Sequence, residues 1–174
     1  MRASPRRIAL FPGTFDPMTY GHLDLIKRGL RLFDHLILGV APREEKGVLF
    51  KLDERVGMAR AITARIDRAE VLPLRGLLVD FAARHGVHAV IRGLRAVSDF
   101  EYELQMALMN RKLRPQLETV FLMPSESFTY LNSTVVKEIA RLGGDVSAFV
   151  PPPVVKAFKA RVAASGGKGR PWIR

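Results

Sequence analysis

Residues 8–30 read Ile-Ala-Leu-Phe-Pro-Gly-Thr-Phe-Asp-Pro-Met-Thr-Tyr-Gly-His-Leu-Asp-Leu-Ile-Lys-Arg-Gly-Leu, and the order of events within them decides the fold. Ile8 to Phe11 is a short, continuous apolar run, the pattern of a strand buried on both faces. From Gly21 to Phe33 the apolar period changes. Leu23, Ile26, Leu30 and Phe33 fall at helical spacing. A strand therefore runs through a loop straight into a helix. Gly13 lets the chain turn and lets backbone approach a ligand closely. Thr14 offers a hydroxyl and an exposed N–H. Thr19 can act near the helix N-terminus, with Gly21 leaving room beside it and His22 in the first turn. A helix N-terminus presents free N–H groups and partial positive charge, which attract phosphate. A histidine there can add an Nε2–H donor. A lone Gly-His reads more simply as a turn and cap; the whole string from Pro12 to His22 carries the phosphate reading.

The same alternation continues to the end. Strands are expected at 36–40, 70–74, 89–91 and 119–123, and helices at 52–66, 77–84, 99–113, 133–142 and 154–163. In the 99–113 helix Phe100, Leu104, Ala107 and Leu108 are expected to face inward. Strand–helix alternation with uninterrupted apolar strands predicts an α/β fold, a Rossmann-like doubly wound five-stranded parallel sheet with helices on both faces. One domain is expected over 1–164, with a Gly-rich mobile tail at 165–174. Ligands of such sheets sit beyond the carboxyl ends of the strands, so the residues just after each strand are the candidates.

Composition narrows the classes. The chain contains no cysteine, which removes disulfides, thiolate nucleophiles and zinc fingers and is compatible with a cytoplasmic location. No apolar run is long enough to span a membrane. The net charge is +11, so polyanions are the natural partners. The basic residues are spread rather than blocked, and no basic–aromatic track accompanies them, which argues against nucleic acid and for nucleotides or phosphorylated small molecules.

After the second strand come Pro42-Arg43-Glu44-Glu45-Lys46, where Lys46 alone reads as a surface lysine. After the fourth come Arg92-Gly93-Leu94-Arg95, two guanidiniums suited to phosphate around a glycine. After the fifth come Ser125 to Thr134, ending in Ser133-Thr134 at a helix start. Asp99 reads as the N-cap or first-turn acid of its helix, and Asp16 as an organiser of the first loop more than a metal ligand.

Gly13-Thr14-Phe15-Asp16-Pro17 followed by Thr19-Tyr20-Gly21-His22 resembles the signature of the nucleotidyltransferases that share the HIGH-type motif. With Ile91 to Arg95, Asp99 to Glu103, Phe121 to Ser125 and Asn132 to Glu138, the chain is similar to bacterial phosphopantetheine adenylyltransferases from about Ile8 to Val150. That resemblance implies attack of the 4′-phosphate of pantetheine on the α-phosphorus of ATP, with Mg²⁺ carried by the ATP phosphates rather than by protein side chains. A phosphate monoester has its second pKa near ~6 and is largely ionised at neutral pH, so no general base is needed. Catalysis then rests on positioning and on stabilising developing charge.

By the same resemblance His22, Lys46 and Arg95 are catalytic. Thr14, Phe15, His22, Gly93, Leu94, Arg95, Glu103 and the run Phe128, Thr129, Tyr130, Leu131, Asn132, Ser133, Thr134 bind ATP. Thr14, Lys46, Leu78 and Arg92 bind phosphopantetheine, although Leu78 reads equally well as core. A homohexamer and feedback binding by coenzyme A are implied too, and no nucleic-acid or membrane partner. Three positions depart from the pattern: Tyr20 replaces a small polar residue, Phe128 a tryptophan and Asn132 a serine. Relatives acting on nicotinamide mononucleotide or glycerol phosphate are the alternative within the class; they typically carry His at the Thr19 position. A basic nucleic-acid binder and an inactive structural relative are the alternatives outside it.

Overall fold

The computed structural model describes residues 6–42, 48–95 and 97–164. Five strands, β1 (Ile8–Gly13), β2 (His35–Val40), β3 (Ala69–Pro73), β4 (Ala89–Gly93) and β5 (Glu118–Leu122), form one sheet in the order β3-β2-β1-β4-β5. Every pairing is parallel. Among the described residues six α-helices accompany them: α1 (Tyr20–Leu32), α2 (Leu52–Thr63), α3 (Leu78–Arg84), α4 (Val97–Leu113), α5 (Ser133–Arg141) and α6 (Pro152–Ala164). This is the expected doubly wound α/β architecture. No helix among the described residues is long and apolar enough to cross a membrane.

The continuous apolar strands divide their side chains between two cores. Ala9, Phe11, Leu36 and Leu38 meet Leu25, Ile26 and Leu30 of α1 and Val56 and Ala59 of α2. Leu10, Ile37 and Val90 point the other way, onto Val79, Phe81 and Ala82 of α3. A third cluster joins Leu49 and Phe50 to Met58 of α2, Val136 and Ala140 of α5, and Val154 and Phe158 of α6. Successive strand residues face opposite layers, so a run such as Ile8 to Phe11 must be apolar throughout.

Two expectations fail in instructive ways. The second helix stops at Thr63 rather than Ile66, because the Ile66 amide donates to the Thr63 carbonyl in a tight turn. Ile66 still packs on the α1–α2 core from outside the helix. On α4, Leu104 and Leu108 do not face inward, being 38% and 56% exposed, and Phe100 stays 42% exposed although its ring meets Phe121 of β5 at a centroid distance of 6.1 Å. Tyr102, Met106, Met109 and Leu113 are exposed as well. Apolar residues run all round this helix, so its pattern selects no single face. Among the described elements it packs mainly against α3 and β5.

Candidate active site

The chain winds from β1 through β2 to β3 on one side and crosses back to β4 and β5 on the other. The switch point lies between β1 and β4, and beyond their carboxyl ends is a cleft of about 420 Å³. The β1–α1 loop, the ends of β4 and α4, and the start of α5 supply its walls.

His22 sits at the third position of α1, with Thr19 as the N-cap. The Thr19 amide donates to His22 Nδ1 at 3.0 Å, and the Thr19 hydroxyl lies 2.9 Å from the same nitrogen. The ring thus fills the place a Glu or Gln takes in a capping box. Because Nδ1 is held as an acceptor, the proton of the neutral ring belongs on Nε2. Phe15 meets the ring edge-on, with centroids 5.2 Å apart. Burial, and then the nearby Arg95 charge, push the His22 pKa down from 6.5 to about 4. His22 is therefore a neutral Nε2–H donor at physiological pH.

Asp16 organises the loop as expected, and more extensively. Its carboxylate accepts from the amides of Leu49 at 2.8 Å and Phe50 at 2.9 Å, and from Lys137 Nζ of α5 at 2.8 Å. Ser133 donates its hydroxyl to the Pro17 carbonyl at 2.8 Å, which draws the α5 N-terminus onto the same loop. The N-termini of α1 and α5 thereby converge on one cleft. The cap of α5 is Asn132, whose side chain accepts from the Thr134 amide at 2.8 Å. The departure from serine at 132 keeps a good capping residue.

Arg92, at the end of β4, donates Nε to Glu103 Oε2 at 2.6 Å and Nη2 to Oε1 at 2.5 Å; its Nη1 donates to the Pro12 carbonyl at 3.0 Å. Three of the five guanidinium N–H groups are engaged, which fixes the plane of the group and leaves an N–H on each Nη for an anion. Arg95 reaches the Leu131 carbonyl at 3.4 Å, across to the α5 side.

Of the expected site residues, Thr14, Phe15, His22, Arg92, Gly93, Arg95, Glu103, Phe128, Leu131, Asn132, Ser133 and Thr134 line the cleft together. Leu94, Thr129, Tyr130 and Leu78 do not. The Leu94 amide donates to the Leu122 carbonyl at the sheet end. The Thr129 hydroxyl bonds the Glu126 carbonyl, and Tyr130 is 68% exposed. Leu78 packs against the α3 core cluster, in keeping with its plainer reading. Lys46 lies outside the described residues, as does the Asp99 side chain. The two glycines that end β1 and β4 serve packing: a Cβ on Gly13 would strike the Phe15 ring, and one on Gly93 would strike Leu25 of α1.

Sequence reading missed three groups. Lys137 lines the cleft and pairs with Asp16. Asp24 accepts from the Ser125 amide and hydroxyl and from Arg28, tying the β5–α5 connection to α1. Arg55 is 2% exposed, and its guanidinium donates to three backbone carbonyls, those of Phe50, Thr14 and Ala41. A signal for Arg55 was present: it lies on the face of α2 set by Leu52, Val56 and Ala59, where a cation requires a buried partner.

Solved structures share this fold. A protein described as a nicotinate-nucleotide adenylyltransferase from Vibrio parahaemolyticus superposes with a TM-score of 0.69 at 16% identity, over 95% of this chain and 99% of its own. A bifunctional NMN adenylyltransferase/ADP ribose pyrophosphatase from Francisella tularensis, complexed with AMP and a Mn ion, gives a TM-score of 0.69 at 14% identity. That alignment covers 91% of this chain and 49% of the Francisella chain, so this chain spans about half its length. At such identities the likeness is one of fold. Residues 10–139, which hold β1 through most of α5 and with them the described walls of the cleft, match the cytidylyltransferase-like family, and the chain belongs to that family of nucleotidyltransferases.

Proposed function

We propose that the protein transfers the adenylyl group of Mg²⁺-bound ATP to 4′-phosphopantetheine, yielding dephospho-coenzyme A and pyrophosphate. One observation carries the chemistry: His22 is held as a neutral Nε2–H donor in the same cleft as the oriented Arg92 guanidinium. An oxygen of the acceptor phosphate forms a bond to Pα as the bond from Pα to the bridging oxygen breaks, and pyrophosphate departs. The acceptor arrives ionised, so no residue has to remove a proton. The two remaining Arg92 donors suit the acceptor phosphate. His22 donates to the charge growing on the α-phosphate, where a fixed donor is worth more than in water. Arg95 and the N-termini of α1 and α5 face the rest of the triphosphate, and Lys46 is assigned beside the transferred group by the sequence resemblance.

The carboxylates lining the cleft are committed to other work, Asp16 to two amides and Lys137, Glu103 to Arg92. This donor set suits a magnesium ion delivered on the triphosphate, where it neutralises phosphate charge. Phe128 offers an aromatic face to the adenine.

The acceptor is assigned through the sequence motifs. Thr19 is 1% exposed and bound to His22, at the position where pyridine-nucleotide relatives typically carry histidine. The exposed apolar residues all round α4 support self-association, in keeping with a homohexamer, and coenzyme A would compete through the pantetheine arm it shares with the acceptor. The deciding assay supplies Mg²⁺-ATP with 4′-phosphopantetheine or, in parallel, nicotinate mononucleotide, and measures pyrophosphate. Release with phosphopantetheine alone is expected. Release with the pyridine nucleotide alone would sink the acceptor assignment, and release with neither would sink adenylyl transfer.

A further inference from the structure

Arg55 is the most buried cation described, yet it makes no ion pair at hydrogen-bond distance. Its Nη1 donates to the Thr14 carbonyl at 2.6 Å and to the Ala41 carbonyl at 2.8 Å, and its Nε to the Phe50 carbonyl at 2.9 Å. Asp16, held on the other side of the same segment by the Leu49 and Phe50 amides, supplies the nearby negative charge. The cation thus joins the ends of β1 and β2 to the lead-in of α2 from behind the cleft, whose walls include Thr14 and Phe15 but not Arg55.

The orientation of one peptide group follows. In a trans peptide the C=O and the next N–H point in opposite directions. The Thr14 carbonyl is drawn back toward Arg55, so the Phe15 amide points away from it, and Thr14 and Phe15 line the cleft while Arg55 does not. Among the described residues no acceptor takes that N–H, although Phe15 is 3% exposed. Phe15 also has φ of +47°, a conformation a bulky residue holds only when its surroundings impose it. Arg55 grips the peptide immediately before that residue.

We propose that Arg55 is a positioning residue for nucleotidyl transfer, holding the Thr14–Phe15 peptide so that the Phe15 amide meets a phosphate oxygen of the nucleotide. This rests on the adenylyl-transfer reading of the cleft. A lysine at 55 carries the charge but cannot span carbonyls on both sides of the group, because it lacks the planar fork.

The test labels phenylalanine amides with ¹⁵N in the full-length protein and titrates pyrophosphate, with calorimetry run alongside. In the wild type the Phe15 resonance is expected to shift on binding. In Arg55→Lys that shift should be lost or sharply reduced, pyrophosphate affinity should fall about tenfold, and kcat should fall about 10²-fold. The acceptor KM should stay within about twofold, because Arg92 is untouched. A normal Phe15 shift in folded Arg55→Lys overturns the proposal whatever the activity. Arg55→Met, which keeps much of the volume, serves if the lysine variant does not fold; if neither folds, Arg55 is a stability residue and the proposal fails. Wild-type binding without a Phe15 shift refutes this role alone. Absence of wild-type binding to both pyrophosphate and ATP refutes the reading of the cleft beneath it.

Discussion

The amide of Thr19 donates to Nδ1 of His22 across 3.0 Å, and this bond decides which face of the imidazole carries the proton. The backbone of the helix cap sets the tautomer, and the tautomer makes His22 a donor toward the cleft rather than a base. Burial reinforces the choice by disfavouring the charged ring.

The first prediction concerns titration. With its pKa near 4 in the fold and 6.5 as the ordinary value, His22 should stay neutral down to about pH 5.5, and its ring ¹⁵N shifts in the free protein should show the Nε2–H tautomer throughout. The unfolded chain binds this proton more readily between pH 6.5 and 4, so the contribution of His22 to stability is complete above 6.5 and is lost as pH falls through that window. The stability advantage of wild type over His22→Gln in denaturant melts should shrink across the same range. A ring titrating near 6.5 would contradict the assigned hydrogen bond.

The second concerns catalysis. If His22 acts on charge that develops only in the transition state, His22→Ala should lower kcat by about 10²–10³-fold, with the ATP KM changed much less. Steady-state kinetics with both substrates varied decides it. A loss confined to KM would make His22 a binding residue only.

The third separates two roles for Glu103. The family resemblance places it on the nucleotide; the structure shows it gripping Arg92 through both oxygens. If it works through Arg92, Glu103→Gln should raise the acceptor KM roughly tenfold by loosening a charge-assisted pair, with the ATP KM held within about twofold. A rise mainly in the ATP KM would return Glu103 to direct nucleotide contact.

What was legible in the sequence was what local pattern controls. Ile8 to Phe11 and Leu36 to Val40 had to be interior strands because both of their faces are covered, and the cleft followed from what comes after β1, β4 and β5. The rest depends on distance in space. Arg55 owes its role to carbonyls at positions 14, 41 and 50, which only the closed sheet brings together. Glu103 meets Arg92 across the β4–α4 connection. The outward face of α4 was misread because its apolar residues select no direction until neighbouring elements are in place.

The fourth prediction uses two departures from the family pattern that meet each other. Tyr20 and Phe128 stack with centroids 6.4 Å apart and planes at 29°, and Phe128 lines the cleft while Tyr20 does not. Tyr20 therefore supports Phe128 from behind. An aromatic pair contributes about 0.5–1.5 kcal/mol, so Tyr20→Ala should raise the ATP KM by roughly 2–10-fold and leave the acceptor KM alone, while Tyr20→Phe should be neutral. Equal effects on both substrates would point to general loosening of α1 instead.

The last concerns the pair beneath the loop. Asp16 and Lys137 are both largely buried, with side chains 4% and 12% exposed, and Asp16 also holds the Leu49 and Phe50 amides. Asp16→Asn keeps the shape but removes the negative charge that Lys137 Nζ meets at 2.8 Å. Breaking such a pair from one side costs roughly 3 kcal/mol, so Tm should fall by roughly 6–12 °C. Lys137→Met should cost less than Asp16→Asn, because the Asp16 carboxylate keeps its two amide donors and Arg55 nearby. Thermal melts of both single variants and the double variant measure the coupling directly. If Asp16→Asn melts with wild type, the contact is held at no energetic consequence, and the loop owes its shape to Arg55 and the α5 contacts alone.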